Sequence, residues 1–259
     1  MSDFTLNTDT DNEMIIKRRR KRRVKKALIF MLFLIALFFI LCLKLPYFNI
    51  QHIEVHGNKN VVSSDIVNRS QIYAGNNIFY INLKSAKDRI LSNPYIKDVV
   101  INRKLPATID INVEERDAVF YCKNGEKYYI IDGNGILLQK IDSINNMQLA
   151  GLNGIDYTKT DIGKTISAQK DKRKLKAVSS LGNIIVNNNL PFPITYVDVS
   201  DLLDIKVYFN NMCVKLGSGE NIEKKMNRAL NILLQEKLNG AKGYIDVRFD
   251  GNPVYKVGG

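Results

Sequence analysis

The chain has 259 residues and a mass of 29.5 kDa, room for one large domain or two small ones at about 100–200 residues per domain. Lys and Arg outnumber Asp and Glu by 38 to 26, a formal +12; with 45% hydrophobic residues, 16 Gly and 6 Pro, a wholly disordered or fibrous chain is excluded. Three cysteines and two histidines exclude a disulfide-dense scaffold and leave little material for metal chemistry.

Charge and apolar residues are segregated along the chain. Residues 1–26 form a basic tail with nine bases (Lys17, Arg18, Arg19, Arg20, Lys21, Arg22, Arg23, Lys25 and Lys26) against four acids. Residues 27–43, ALIFMLFLIALFFILCL, carry no charge. At 1.5 Å per residue they cover about 26 Å, just short of a hydrocarbon core of about 30 Å, and extension to Leu45 with Lys44 snorkelling closes most of the gap. A soluble core helix would need a polar stripe at period 3.6, and there is none. The long N-terminal region and the lack of a small-x-small pattern around Cys42 predict an uncleaved anchor over 27–45. The basic block holds the N-terminus in the cytoplasm and places about 214 residues outside it. Beside a membrane span that reading outweighs nucleic-acid binding, and anionic lipid adds attraction on the same side.

Beyond the span, Asn49–Asn58 alternates, with Ile53 and Val55 on one side and His52, Glu54 and His56 on the other, as a half-buried strand does. Val61–Ile72 reads as a short helix with Ser63 or Ser64 as its N-cap. Leu83–Ser92 is a second helix, ended by Asn93-Pro94. Ile96–Leu105 is a strand stopped by Pro106. Thr108–Glu114 alternates, with Ile109, Ile111 and Val113 inward and Asp110, Asn112 and Glu114 outward. The order β-α-α-β-β over 48–116 predicts a compact α+β module with two helices on a one-faced sheet.

The region 117–259 predicts a second α+β domain of eight strands and two helices. Strands are expected at Val119–Tyr121, Tyr128–Ile131, Ile136–Lys140, Ile194–Val199, Ile205–Phe209, Met212–Leu216, Tyr244–Phe249 and Val254–Val257. A basic amphipathic helix lies within Gly163–Asn189, with Leu175, Val178, Leu181 and Ile185 on one stripe. Another opens at Asn221 with Ile222, Met226, Ala229, Leu230 and Leu233. The last two strands read as a hairpin across Asp250-Gly251-Asn252-Pro253.

No catalytic constellation stands out, and no cofactor is expected. Gly163-Lys164-Thr165 lacks the upstream glycine of a phosphate-binding loop, since Thr158 occupies that position. His52, Glu54 and His56 share a strand face, but alternate residues sit roughly 6.6 Å apart and cannot close on one ion without help, so a solvated face is expected. Cys122 and Cys213 lie outside the membrane and could pair as a disulfide, but each falls in an apolar strand pattern and two buried free thiols are the favoured reading. The outer region reads as a binding device, not an enzyme.

Where a partner could bind follows from strand order. Val254–Val257 is the final strand and a candidate sheet edge, open to β-augmentation, with Tyr255 and Val257 on one face and Val254 and Lys256 on the other. Tyr255 and Phe249 are the candidate aromatic anchors, Phe249 being alternatively a core residue. Val254→Pro is expected to abolish such binding and spare the fold.

The layout resembles the bacterial cell-division family FtsQ/DivIB. The resemblance rests on Ile53-Glu54-Val55-His56-Gly57-Asn58, on Gly75 followed by Asn77-Ile78-Phe79-Tyr80-Ile81, and on Pro94-Tyr95-Ile96 and Arg103-Lys104-Leu105-Pro106. It continues through Ile109, Ile111, Val113, Glu114, Glu115 and Arg116, then Ile130-Ile131-Asp132 with Gly135, Leu216-Gly217 and Tyr244-Ile245-Asp246-Val247-Arg248-Phe249. It implies that the first module is a POTRA domain and that the protein is a non-enzymatic component of the septal complex. The implied partners are the bitopic proteins FtsL and DivIC (FtsB in Gram-negatives) and, through them, the septal peptidoglycan synthesis machinery. In the family, partner binding maps to the C-terminal strand region. The alternative is a membrane-anchored surface protein whose +7 outer region attracts anionic wall polymers.

Overall fold

A computed structural model of the chain describes residues 8–144, 147–166, 172–187, 190–238 and 240–258, so the first seven residues of the basic tail lie outside it. One uninterrupted helix, α1 (Thr8–Lys44, 37 residues), carries both the basic block and the apolar run. Side chains from Lys17 to Leu41 are exposed throughout, unlike the packed helix of a soluble core. The helix stops at Lys44. Leu45 precedes proline and is extended (φ −72°, ψ 129°), and Pro46–Phe48 forms a short 3₁₀ turn.

The first module contains β1 (His52–His56), α2 (Ser63–Ser70), α3 (Leu83–Leu91), β2 (Ile96–Lys104) and β3 (Thr108–Glu115). Its sheet order is β1-β3-β2, with β1 parallel and β2 antiparallel to β3. Ile66 of α2 and Ala86 and Ile90 of α3 pack on Val99, Ile109, Ile111 and Val113. Two expectations need correction. Asp110 is buried, with 7% of its surface exposed, because β3 is the central strand and His56 and Lys104 fold over it from the flanking strands. Neither Ser63 nor Ser64 caps α2: the cap residue is Val62, and no side chain serves it.

The polar partner of that turn is Glu115, whose Oε1 accepts from Lys59 and Val61 N–H (2.8 and 3.0 Å) and whose Oε2 accepts from Asn60 N–H (2.9 Å). Burial pulls the Glu115 carboxyl upward, but the three amide donors outweigh it and hold it below the ordinary 4.5. A carboxyl lowered on folding contributes stability above its unfolded value and loses it as pH falls through the folded value. The first module should therefore weaken below about pH 4.5, and Glu115→Gln should be less stable at neutral pH with a flatter acid limb. Urea melts of the detergent-solubilised chain followed by circular dichroism across that range check this.

The second domain is built on a nine-stranded sheet in the order β12-β11-β10-β9-β8-β7-β4-β5-β6. Its strands are β4 (Ala118–Asn124), β5 (Lys127–Asp132), β6 (Leu137–Ile141), β7 (Ala150–Asn153), β8 (Tyr196–Asp198), β9 (Ile205–Phe209), β10 (Met212–Gly217), β11 (Gly243–Asp246) and β12 (Val254–Val257). Helices α4 (Lys172–Asn187) and α5 (Ile222–Gln235) pack Val178, Leu181, Met226 and Leu233 into one core with Phe120, Val197, Val207, Val214 and Ile245. The ends of the Gly163–Asn189 stretch, at 167–171 and 188–189, lie outside the described residues. The strand beyond the expected eight is β7. Its sequence Ala-Gly-Leu-Asn has no alternation, and parallel pairing with β4 and β8 makes it a strand.

The sheet face away from the helices carries a cross-strand row: Tyr121, Gly151, Tyr196, Tyr208, Cys213, Tyr244 and Lys256 are successive register partners from β4 to β12. Gly151 is required there, because a Cβ would stand 2.5 Å from the Tyr196 ring. The same register separates the cysteines. Cys213 lies in this row and is half-buried, a correction to the expected burial, whereas Cys122 points to the opposite face. Four strand spacings of about 4.8 Å put them about 19 Å apart, beyond the ~7 Å a disulfide spans. Burial pushes the Cys122 thiol up to about 12, with Asp156 adding to it, so it stays protonated and inert.

Candidate partner interface

β11 and β12 form the antiparallel hairpin that ends the sheet, and β12 is its edge strand. Gly243↔Val257, Tyr244↔Lys256, Ile245↔Tyr255 and Asp246↔Val254 face one another, and Gly258 N–H donates to Lys242 C=O at 2.7 Å. Hydrogen-bonded and non-bonded pairs alternate in an antiparallel ladder. Val254, Lys256 and Gly258 therefore direct their main-chain groups at β11, and Tyr255 and Val257 direct theirs outward. Among the described residues nothing pairs with that outer side. Here the expectation for Val254→Pro fails: its N–H belongs to the hairpin's own ladder, so proline would damage the fold instead of the free edge.

All four β12 side chains are exposed. Tyr255 and Val257 lie on the helix side, where the Tyr255 hydroxyl donates to Glu236 Oε2 at 3.0 Å just past α5. That bond raises the phenol above its ordinary value. Val254 and Lys256 take the other face, beside Tyr244, whose ring lies 4.3 Å beneath the Lys215 ammonium. The two strands of the hairpin approach closely at Gly243, where a Cβ would collide with the Lys256 carbonyl.

Phe249 lies outside the strand and outside the core, with 73% of its surface exposed. Two arginines, which periodicity could not single out, hold it there. Arg228 of α5 donates through Nη1 to Phe249 C=O at 3.1 Å and through Nη2 to Gly251 C=O. Arg248 is paired with Asp246 through Nε (3.0 Å) and Nη2 (2.6 Å), and its guanidinium carbon lies 5.6 Å from the Phe249 ring centre. The Arg248 contact holds the Asp246 carboxyl below the ordinary carboxylate range. A pinned aromatic beside an open edge can offer both a ring and main-chain groups to an incoming strand.

The remaining site residues lie far from this edge in the chain. Lys17, Arg18, Arg19, Arg20, Lys21, Arg22, Arg23, Lys25 and Lys26 are exposed on α1. Of the histidine face, His52 stays apart, while Glu54 and His56 meet Asp110 within 4.8 Å. The Lys104 ammonium stands 3.1 Å from both Glu54 and Asp110, where a cation would sit. It lowers both carboxyls and is itself raised by them. This cluster is closed by its own lysine.

Comparison with known proteins agrees with this architecture. Residues 48–116 match the family model of the FtsQ-type POTRA domain, and 120–248 match that of the C-terminal region of cell division protein FtsQ/DivIB. The chain is 45% identical over 249 residues to cell division protein DivIB of Clostridium botulinum, covering 96% of each. It is 49% identical over 248 residues to DivIB of Clostridium acetobutylicum, covering 95% of this chain and 98% of that one. With DivIB of Bacillus subtilis it shares 27% over 237 residues, 89% and 84% of the two chains. A full-length match at this identity, over the same two modules, leaves one assignment: the chain belongs to the FtsQ/DivIB family of cell division proteins.

Proposed function

We propose that this protein is a single-pass division protein with 1–26 in the cytoplasm, 27–45 across the membrane, and a POTRA module (48–116) and a C-terminal domain (117–259) outside. It works by binding, without catalysis, and stabilises the septal complex by docking bitopic partners of the FtsL and DivIC/FtsB type. The observation that carries this reading is the open β12 edge, with Tyr255 and Val257 presenting unpaired main-chain groups and Phe249 displayed beside them. A partner segment completing that edge adds a strand, so affinity comes from ladder bonds and specificity from the flanking rings. The basic block supports the orientation, since positive charge beside a span stays on the cytoplasmic side. A fluorescent fusion imaged in dividing cells, with pull-down of FtsL and DivIC from solubilised membranes, tests both levels. A midcell band with partner capture is expected. A uniform envelope signal without capture overturns the reading.

A further inference from the structure

The end of the first module nearest α1 is made of three connections. β1 and β3 both start there and β2 ends there. Segments 44–51, 73–81 and 103–107 are tied together: Ile78 N–H donates to Phe48 C=O (2.9 Å), Gln51 N–H to Ala107 C=O (2.8 Å), and Arg103 to the carbonyls of Ile78 (2.9 Å) and Ile81 (2.7 Å).

The centre of this end is Asn77, which is buried. Its Nδ2 donates to the carbonyls of Cys42 (3.0 Å) and Leu43 (3.3 Å), and its Oδ1 accepts from Phe79 N–H (2.9 Å). An α-helix leaves its last carbonyls without intrahelical partners, and a helix end leaving a bilayer has the most to gain from a donor. The module thus closes the end of α1 with its own side chain and sits directly on it. Around that joint Leu45, Tyr47, Tyr80 and Leu105 are exposed, Tyr47 and Tyr80 by 65% and 66%, and the Phe79 ring stands 5.4 Å from that of Phe48. The three segments contain no Asp or Glu and carry Lys44 and Arg103; the third base, Lys104, is turned to Glu54 and Asp110. Tyrosine rings with apolar bodies and polar tips, flanked by Lys44 and Arg103, match the headgroup zone of a bilayer.

We infer that this face is a membrane seat: Leu45, Tyr47, Phe79, Tyr80 and Leu105 rest in the headgroup region of the outer leaflet, with Asn77 locking the module to the end of the span. This rests on the reading of α1 as a transmembrane anchor. The seat fixes the module's height and direction over the bilayer, which a free tether would not.

The chain has no tryptophan, so one introduced indole is its only such reporter. Full-length Tyr80→Trp and, separately, Tyr47→Trp are placed in phosphatidylglycerol–phosphatidylcholine vesicles with acyl chains brominated near the headgroup. Each should emit at shorter wavelength than Leu203→Trp in the same vesicles and lose intensity to the bromine. Leu203→Trp, on an exposed turn of the second domain, should keep water-like, unquenched emission. Phe33→Trp within α1 should be quenched by deeply brominated chains. Water-like, unquenched emission from both Tyr80→Trp and Tyr47→Trp, with Phe33→Trp quenched, overturns the seat and leaves the anchor standing. Loss of quenching at Phe33→Trp as well removes the anchor and the seat together.

Discussion

Val257→Pro should abolish partner capture and leave the C-terminal domain folded. The Val257 N–H points away from β11, so proline takes no bond from the hairpin's own ladder, while its ring obstructs a strand arriving from outside. Val254→Pro should do the reverse and strip a bond between β11 and β12. The outward edge offers main-chain groups at two residues, each bond contributing about 0.5–1.5 kcal/mol net. Losing one and blocking the register should weaken binding by at least about tenfold, or about 1.4 kcal/mol. Phe249→Ala and Tyr255→Ala should each cost about 2 kcal/mol, roughly thirtyfold, if these rings anchor the interface. Tyr255→Phe separates the ring from the hydroxyl: it loses only the bond to Glu236 and should retain most affinity. Pull-down of FtsL and DivIC by each variant, beside circular dichroism to confirm folding, reads these outcomes; full capture by Val257→Pro rejects the edge as the docking site.

What was legible in the residues was whatever repeats with a local period. The uninterrupted apolar run became the exposed part of α1, the stripe Ile222, Met226, Ala229, Leu230 and Leu233 became the buried face of α5, and Ile109, Ile111 and Val113 became core. Long-range polar contacts have no period and were missed. Glu115 serves the turn before α2 from more than fifty residues away, whereas local capping rules point to the serines. Asp110 obeyed alternation and still ended buried, because alternation cannot say that β3 is central and covered from both flanks. Strand β7 had too few residues to show any pattern, and its identity lies entirely in its neighbours. At the candidate interface, Phe249 and β12 could be read from aromatic type and chain position. The arginine clamp that displays Phe249, and the parity that decides which main-chain groups face out, required the fold.

Asp132→Ala should be the most destabilising polar substitution in the chain. This carboxylate is 2% exposed, and each of its oxygens is engaged. Oδ1 accepts from Asn134 and Ile136 N–H at 2.9 and 2.7 Å, closing the turn between β5 and β6, and Oδ2 accepts from Arg116 Nη1 at 3.1 Å. Arg116 follows the last strand of the first module, so the pair ties the POTRA module to the C-terminal domain. Removing the carboxylate leaves a largely buried guanidinium and two amides without their acceptor, a loss of about 3–5 kcal/mol. Arg116→Ala should cost less, because the remaining carboxylate keeps its two backbone donors. In a double-mutant cycle, Arg116→Ala should therefore recover part of the Asp132→Ala loss, since the unpaired cation is gone. Urea midpoints of the detergent-solubilised chain measure the cycle. The same variants test whether the pair transmits position: with Asn77 tying the first module to the end of α1 and β12 at the far end of the nine-stranded sheet, loosening this joint should reduce partner capture in cells more than it reduces capture by the detergent-solubilised chain.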